Sequence, residues 1–207
     1  CKAGFASEMV TGLIKLNGAT VGVVGNRQTG KESLLTADGC GKAADFVRFC
    51  DAFDIPVLSL TNVTGYEATI ASEKLLTREA ARMTAAFAEA SVPKINFITK
   101  EAYGSAYVLM NSKALGADLV YAYDTAKIGI MDSALAAKIM YEDKSADEIS
   151  EKAKEFEELQ SGIAAAAARG YVDRVITPAD TRKYLIAGFE MLFTKRTDGP
   201  FKKHSTK

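Results

Sequence analysis

The sequence has no tryptophan, one histidine, three cysteines and four prolines among 207 residues. The shortage of histidine excludes the most. His204 lies in a lysine-rich tail, so the residues argue against both a Cys/His zinc site and a Ser-His-Asp triad built from this chain alone. Cys1, Cys40 and Cys50 have no CxxC spacing, and any disulfide leaves one thiol over. That pattern fits a reducing compartment, and we expect a cytoplasmic protein. No apolar run approaches the ~20 residues of a membrane span, and no early apolar block marks a signal peptide. Net charge is missing as well: 26 basic residues balance 26 acidic ones. Nothing general therefore points to nucleic acid or an anionic membrane as a partner. A first residue of cysteine suggests a piece of a longer chain.

What is present is ordinary for a globular domain: 48% hydrophobic and 25% charged residues, enough for a sizeable core. Residues 13–16 and 19–26 read as two strands joined at Asn17-Gly18, the strongest short hairpin signal. Residues 27–36 form a polar loop. Asp38 then caps a helix over residues 42–53, with Ala43, Phe46, Val47, Phe49, Cys50 and Phe53 as a wide apolar face, and Pro56 ends it. A buried strand follows at 57–60 and a loop at 61–66. A long helix runs from Ser72 or Glu73 to Ala90, with Leu75, Leu76, Met83 and Phe87 on one side.

Residues 95–98 read as a strand buried on both faces. It breaks at Lys100-Glu101, and the chain restarts at Gly104-Ser105-Ala106 as an apolar helix through Met110. Short strands at 119–123 and 127–130 flank a turn. Beyond them come a short helix at 133–141 and a charged, solvated helix at 145–159 with Ser145 and Asp147 as candidate caps. A small-residue stretch at 163–168, a strand at 172–176, a helix opened by Pro178 and a basic tail from Lys195 complete the chain. No repeat or linker is visible, so residues 1–207 read as one domain. Alternating strands and helices imply an α/β fold with a mostly parallel sheet. Ligands of such sheets bind beyond the C-terminal ends of the strands, where the 61–66 loop and the Gly104 turn both lie.

Two features carry possible chemistry. The segment from Gly25 to Lys31 matches the phosphate-loop spacing GxxxxGK, but Glu32 stands where a magnesium-binding hydroxyl belongs. A polar surface loop accounts for it better than nucleotide binding does. The second is the strand-to-helix turn at Gly104, where unpaired N–H groups would favour an oxygen that gains negative charge. Small residues there also let a helix pack closely on a strand, and from the residues alone packing is the first explanation. Tyr66, Tyr103 and Tyr107 are more often core or interface residues than acids and bases; Tyr103 and Tyr107 share a face if the helix begins early enough.

The segment KAADFVRFCDAFDIPVLSL resembles the C-terminal half of the carboxyltransferase subunit of biotin-dependent acyl-CoA carboxylases and decarboxylases. This family includes propionyl-CoA carboxylase, the transcarboxylase large subunit and the sodium-pumping decarboxylases. The resemblance continues through AEASVPKINFITKEAYGSAYVLMNSKALGADLVYAY and AARGYVDRVITPADTR to the KKH tail. It implies a crotonase-like β-β-α spiral core with helices that form trimers or hexamers. It also implies a division of labour, in which an acyl-CoA-binding N-terminal half faces a C-terminal half that holds carboxybiotin on its carrier protein.

By the same resemblance, the family turn written KAYGGAY is Lys100 and EAYGSAY here. This puts the backbone of Ser105 and Ala106 in the role of a biotin-facing oxyanion hole, with Gly104 in the turn and Gly65, Tyr66 and Tyr103 beside the ligand. The implied cofactors are carrier-bound biotin and an acyl-CoA substrate, with no metal. A non-catalytic assembly or carrier-docking module of such a complex is the alternative. Three places depart from the family pattern. Ser105 replaces the second glycine of the turn. The family's VPGF loop reads VTGY over residues 63–66, with Thr64 for proline, and the loop is one residue shorter. The family's Gly-Ala-Glu-Gly-Ala reads Asp132-Ser133-Ala134-Leu135-Ala136.

Overall fold

The computed structural model describes residues 1–28 and 33–197. Its N-terminal hairpin is the one that Asn17-Gly18 predicts. Strands β1 (Met9–Leu16) and β2 (Ala19–Asn26) pair antiparallel with Leu16 opposite Ala19. Asn17 and Gly18 take φ of 48° and 83°, as a two-residue type I′ turn requires. β1 begins at Met9 rather than Leu13, because its first residues already have β2 to bond with. The phosphate-loop-like segment lies outside the described residues from Thr29 onward, as does His204.

A two-residue strand, β3 (Leu34–Leu35), precedes helix α1 (Ala37–Ala52). Here the sequence reading needs correction. The cap is Thr36, whose hydroxyl accepts from the Gly39 N–H at 2.9 Å, and Asp38 sits inside the first turn. Threonine is itself among the favoured cap residues, and from position 36 it starts the helix well before Lys42. On the expected apolar face, Phe46, Val47 and Cys50 are buried but Phe49 and Phe53 are exposed.

Strand β4 runs Val57–Val63 and is followed at once by β5 (Gly65–Tyr66), which pairs parallel with β3. The expected 61–66 loop is thus mostly strand, because Val63 finds Ala102 and Leu34 finds Gly65 as backbone partners. Helix α2 (Ile70–Glu89) is capped by Thr69. Met83 and Phe87 are buried in it, while Leu75, expected beside them, is 49% exposed.

The central strand is β6 (Lys94–Tyr103). It does not break at Lys100-Glu101. Strand β7 (Leu119–Tyr123) pairs with residues 95–98, and β8 (Lys127–Gly129) then takes over the same edge opposite residues 101–103. Exposed charges do not end a strand whose backbone still has a partner. At Tyr103 the chain passes directly into the six-residue helix α3 (Gly104–Leu109). Helix α4 (Ser133–Met140) and helix α5 (Ala146–Phe156) follow, the latter opened by a capping box between Ser145 and Glu148. One π turn (Glu157–Ser161) leads to α6 (Ile163–Ala168), β9 (Arg174–Ile176) and α7 (Thr181–Met191). The expected strand at 172–176 is shorter by Val172 and Asp173.

The sheet order is β1-β2-β4-β6-β7-β9, with β8 on the far part of β6, and all pairs except β1–β2 are parallel. Two clusters fill its faces. One joins α1, α2, α3 and α6 to residues such as Val57, Val63 and Ile98. The other sets α7 against Leu58, Ile95, Phe97 and Tyr121. A polar stripe interrupts the first face. Ser59 and Thr61 donate to the Asn96 amide oxygen at 3.2 and 2.7 Å, and the Asn111 amide donates to Ser59 at 3.1 Å. Buried polar groups need such partners, and this set ties the end of α3 to the sheet.

Lys94, at the start of β6, is 3% exposed, and its ammonium donates to the Phe87 carbonyl at 2.5 Å. Burial, and then the Lys195 charge, lower its pKa to about 8, against the weaker opposing pull of Asp118 and Asp51. Between about pH 8 and the unperturbed lysine value, the unfolded chain binds the proton and the folded one does not, so stability rises with pH across this window. Urea titrations of wild type and Lys94→Met should show a wild-type stability that gains on the variant from pH 8 upward and no relative change from pH 6 to 7.

Candidate active site

Three chain segments that leave the sheet at its C-terminal end meet around one cleft of about 620 Å³. β5 supplies Gly65 and Tyr66, the β6–α3 junction supplies Tyr103, Gly104, Ser105 and Ala106, and the segment after β8 supplies Ile130, Met131 and Asp132. All six residues singled out in the sequence line it. The rule that α/β sheets bind ligands at this end accounts for the convergence.

The junction is shaped by Gly104. Its φ is +62°, and a Cβ there would lie 3.1 Å from the Ile130 carbonyl oxygen. Both facts favour glycine, the first for backbone freedom and the second for space. Tyr103 occupies the cap position of α3 but makes no side-chain cap. The first N–H groups of any helix lack partners within it, and Ser105 and Ala106, which carry two of those of α3, line the cleft.

The neighbouring start of α4 is closed. Asp132 accepts there from the N–H groups of Ala134 and Leu135 at 3.0 and 3.1 Å. This exposed carboxylate is therefore spent largely on its own helix. Of the two helix starts beside the cleft, one is capped and one is bare.

Tyr103 is buried at the cleft floor. Burial, then the nearby carboxylates of Glu101, Asp132 and Glu157, push its phenol well above the ordinary tyrosine range. It stays a neutral phenol at physiological pH and does not act as a base there. Tyr107 is buried one turn on, its phenol raised to about 12 by burial and then by Tyr171. Because Tyr103 ends β6 and α3 begins at Gly104, the helix does not start early enough for the two tyrosines to share a helix face. Tyr66 is half-buried. Burial raises its pKa, the Ser105 hydroxyl pulls the other way, and Cys40 adds a smaller rise.

The opposite wall is held by amides and hydroxyls. Asn26 accepts from the Asn62 N–H at 3.0 Å, and Asn62 donates to Ser33 at 3.0 Å and accepts from the Glu101 N–H at 3.3 Å. Thr64 donates its own N–H to the Ser33 carbonyl at 2.8 Å. A proline at this position has no N–H to give, so the Thr64 departure exchanges a stiff residue for a bonded one. Sequence reasoning missed Leu34, Glu101, Ile130, Met131 and Leu135 as lining residues. Position after β8 was the available signal for Ile130 and Met131; Leu34 carried none.

A family profile described as the carboxyl transferase domain matches residues 1–206. The chain belongs to the carboxyl transferase domain family. The methylmalonyl-CoA carboxyltransferase 12S subunit of Propionibacterium freudenreichii subsp. shermanii is 40% identical over 210 residues, spanning 98% of this chain and 40% of that one. A putative propionyl-CoA carboxylase beta chain of Bacillus subtilis is 43% identical over 207 residues, 97% of this chain and 41% of that one. The chain thus spans about two fifths of the curated relatives it matches. A transcarboxylase 12S crystal structure, described as a hexamer with methylmalonyl-coenzyme A and methylmalonic acid bound, superposes with a TM-score of 0.92 at 39% identity. It covers 99% of this chain and 40% of that one. The mixed α/β fold is accordingly the crotonase-like fold of carboxyltransferases. Among the described residues no group of His, Cys, Asp and Glu is placed to hold a metal, and no helix is long and apolar enough to cross a membrane.

Proposed function

We propose that this chain is the carboxybiotin-facing half of a cytoplasmic, biotin-dependent acyl-CoA carboxyltransferase. On this reading it works with an acyl-CoA-binding N-terminal half and a biotin carboxyl carrier protein, as a trimer or hexamer of like chains. The single observation that carries it is the uncapped start of α3, opening on a cleft lined by all six residues the family resemblance assigns to the site.

The residues suit the ligand. Carboxybiotin supplies the carboxyl group to be moved and, having lost it, the base for the acyl α-proton. What the chain must add is stabilisation of a ureido oxygen that becomes negative only as reaction proceeds. Fixed backbone donors do this without attracting a free anion strongly beforehand. Ser105 and Ala106 provide two N–H groups, and Gly104 leaves room for an approaching ring because no Cβ projects between the turn and Ile130. The neutral Tyr103 adds no competing charge at the floor. Nothing in this scheme requires a histidine or a side-chain nucleophile.

The test joins or mixes this chain with an acyl-CoA-binding half, adds free biotin and malonyl-CoA or methylmalonyl-CoA, and follows decarboxylation. Biotin-dependent loss of the carboxyl group is the expected result. A folded complex inactive on every short acyl-CoA would overturn the reading.

A further inference from the structure

Ser59 and Thr61 of β4, Asn96 of β6 and Asn111, just past α3, are each fully buried, and none of them lines the cleft. They form one connected set. The Thr61 hydroxyl lies 2.7 Å from the Asn96 amide oxygen and 3.3 Å from the Met110 carbonyl oxygen. Ser59 donates to the same amide oxygen at 3.2 Å and accepts from the Asn111 amide at 3.1 Å. Met110 and Asn111 are the residues on which α3 ends. We propose that Thr61 and Asn111, joined through Ser59 and Asn96, are positioning residues for the donor turn at the other end of α3. This rests on the carboxyltransferase reading above, and it adds to that site residues that touch no substrate.

A six-residue helix is only about 9 Å long, so a shift of its last turn reaches the N–H groups of Ser105 and Ala106 almost undamped. Ala106, Tyr107 and Met110 pack α3 into the apolar cluster, but apolar contact has no direction and lets a helix slide along its axis. Hydrogen bonds prefer a set distance and angle, and Thr61 and Asn111 place two of them at the last turn. Asn111 suits the place, since its φ is +57° and asparagine is one of the few residues that tolerate the left-handed region. Stability alone does not account for the set. The Asn96 amide nitrogen and the Asn111 amide oxygen have no hydrogen-bond partner among the described residues. A buried polar set left partly satisfied costs free energy that apolar side chains of the same shape would not. What the polar set supplies is position, and donors aimed at a reacting oxygen lose their effect when displaced.

The test uses the complete complex and the variants Thr61→Val, Thr61→Ser and Asn111→Gly. Valine keeps the shape of threonine without its hydroxyl, and glycine keeps the positive φ without the amide. Thr61→Val and Asn111→Gly should each lower kcat for biotin-dependent decarboxylation about 10-fold with little change in KM, because a displaced donor is missed mainly in the transition state. Thr61→Ser keeps a hydroxyl and should recover most of the rate. In an Ala106→Pro background, which already lacks one donor, Thr61→Val should cost less than in wild type. A Thr61→Val complex as fast as wild type, a serine variant as slow as the valine one, or an undiminished cost beside Ala106→Pro would overturn the proposal.

A second readout needs no turnover. Hydrogen exchange in the same complex, followed by mass spectrometry, should quicken about 10-fold in the peptide carrying α3 on Thr61→Val, with β6 and α7 unchanged. Faster exchange across the whole sheet would mean that the set merely stabilises the fold, and unchanged exchange in α3 would mean that it holds nothing in place. Either result overturns the proposal. Failure of the carboxyltransferase reading appears separately, as a wild-type complex without activity in which Thr61→Val nevertheless loosens α3.

Discussion

Replacing Ala106 with proline lowers carboxyl transfer by at least about 10²-fold while the domain remains folded. The substitution removes one N–H, and its ring also disfavours the helical conformation of Ser105 before it. Ala106 is the third residue of α3, and N–H groups this early have no acceptor within a helix, so no intrahelical bond is lost. The ring does enter a tight place, since the Ala106 side chain is only 1% exposed. For that reason the thermal midpoint is measured alongside the rate. An ester in place of the Ser105–Ala106 amide deletes the same N–H without adding atoms, and it should show a similar loss. Full activity in a folded ester variant would overturn the proposed oxyanion hole at this turn.

The largest stability effect is expected at Phe97. Its side chain is 1% exposed in the middle of β6 and meets Tyr123 edge-on, with ring centroids 4.8 Å apart at 78°. Truncation to alanine forfeits the transfer free energy of a whole ring and leaves a cavity that the two-sided packing cannot close, a cost of about 3–5 kcal/mol. Urea unfolding measures it. Phe97 belongs to the cluster under α7, whereas Ala106 belongs to the cluster on the other face. The rate per folded molecule should therefore change little. A stability loss under about 1 kcal/mol would mean that the α7 side closes up around the cavity.

The contrast between these two positions also shows what could be read from residues alone. Local signals were legible: the Asn17-Gly18 turn, the apolar run at 95–98, and Ser145 ahead of the charged helix. Each depends on neighbours within a few positions. The family resemblance then named six residues for the site, and all six line one cleft. What escaped was set at a distance. Lys100-Glu101 reads as a break until β8, arriving some 25 residues later, gives that stretch a partner. The strand pair β3–β5 is two residues long on each side and exists only because tertiary packing brings Leu34 to Gly65. Asp38 looks a suitable cap, but Thr36 reaches Gly39 first. The bare end of α3 beside the capped end of α4 could not be foreseen either, since it depends on where one aspartate oxygen points.

The arrangement of β8 has a further meaning. Three successive positions, Ala102, Tyr103 and Gly104, key the whole cleft: Ala102 pairs with Val63, Tyr103 pairs with Gly129, and Gly104 begins the turn between them. The walls are continuations of the strands on either side of β6, since β5 follows β4 after a single residue and the 130–132 segment runs on from β8. Backbone ladders on both edges of one strand thus hold the two walls in register with the turn they enclose. A shift of β6 by one residue against either neighbour would misplace a wall, so the cleft inherits its alignment from the pairing of the sheet.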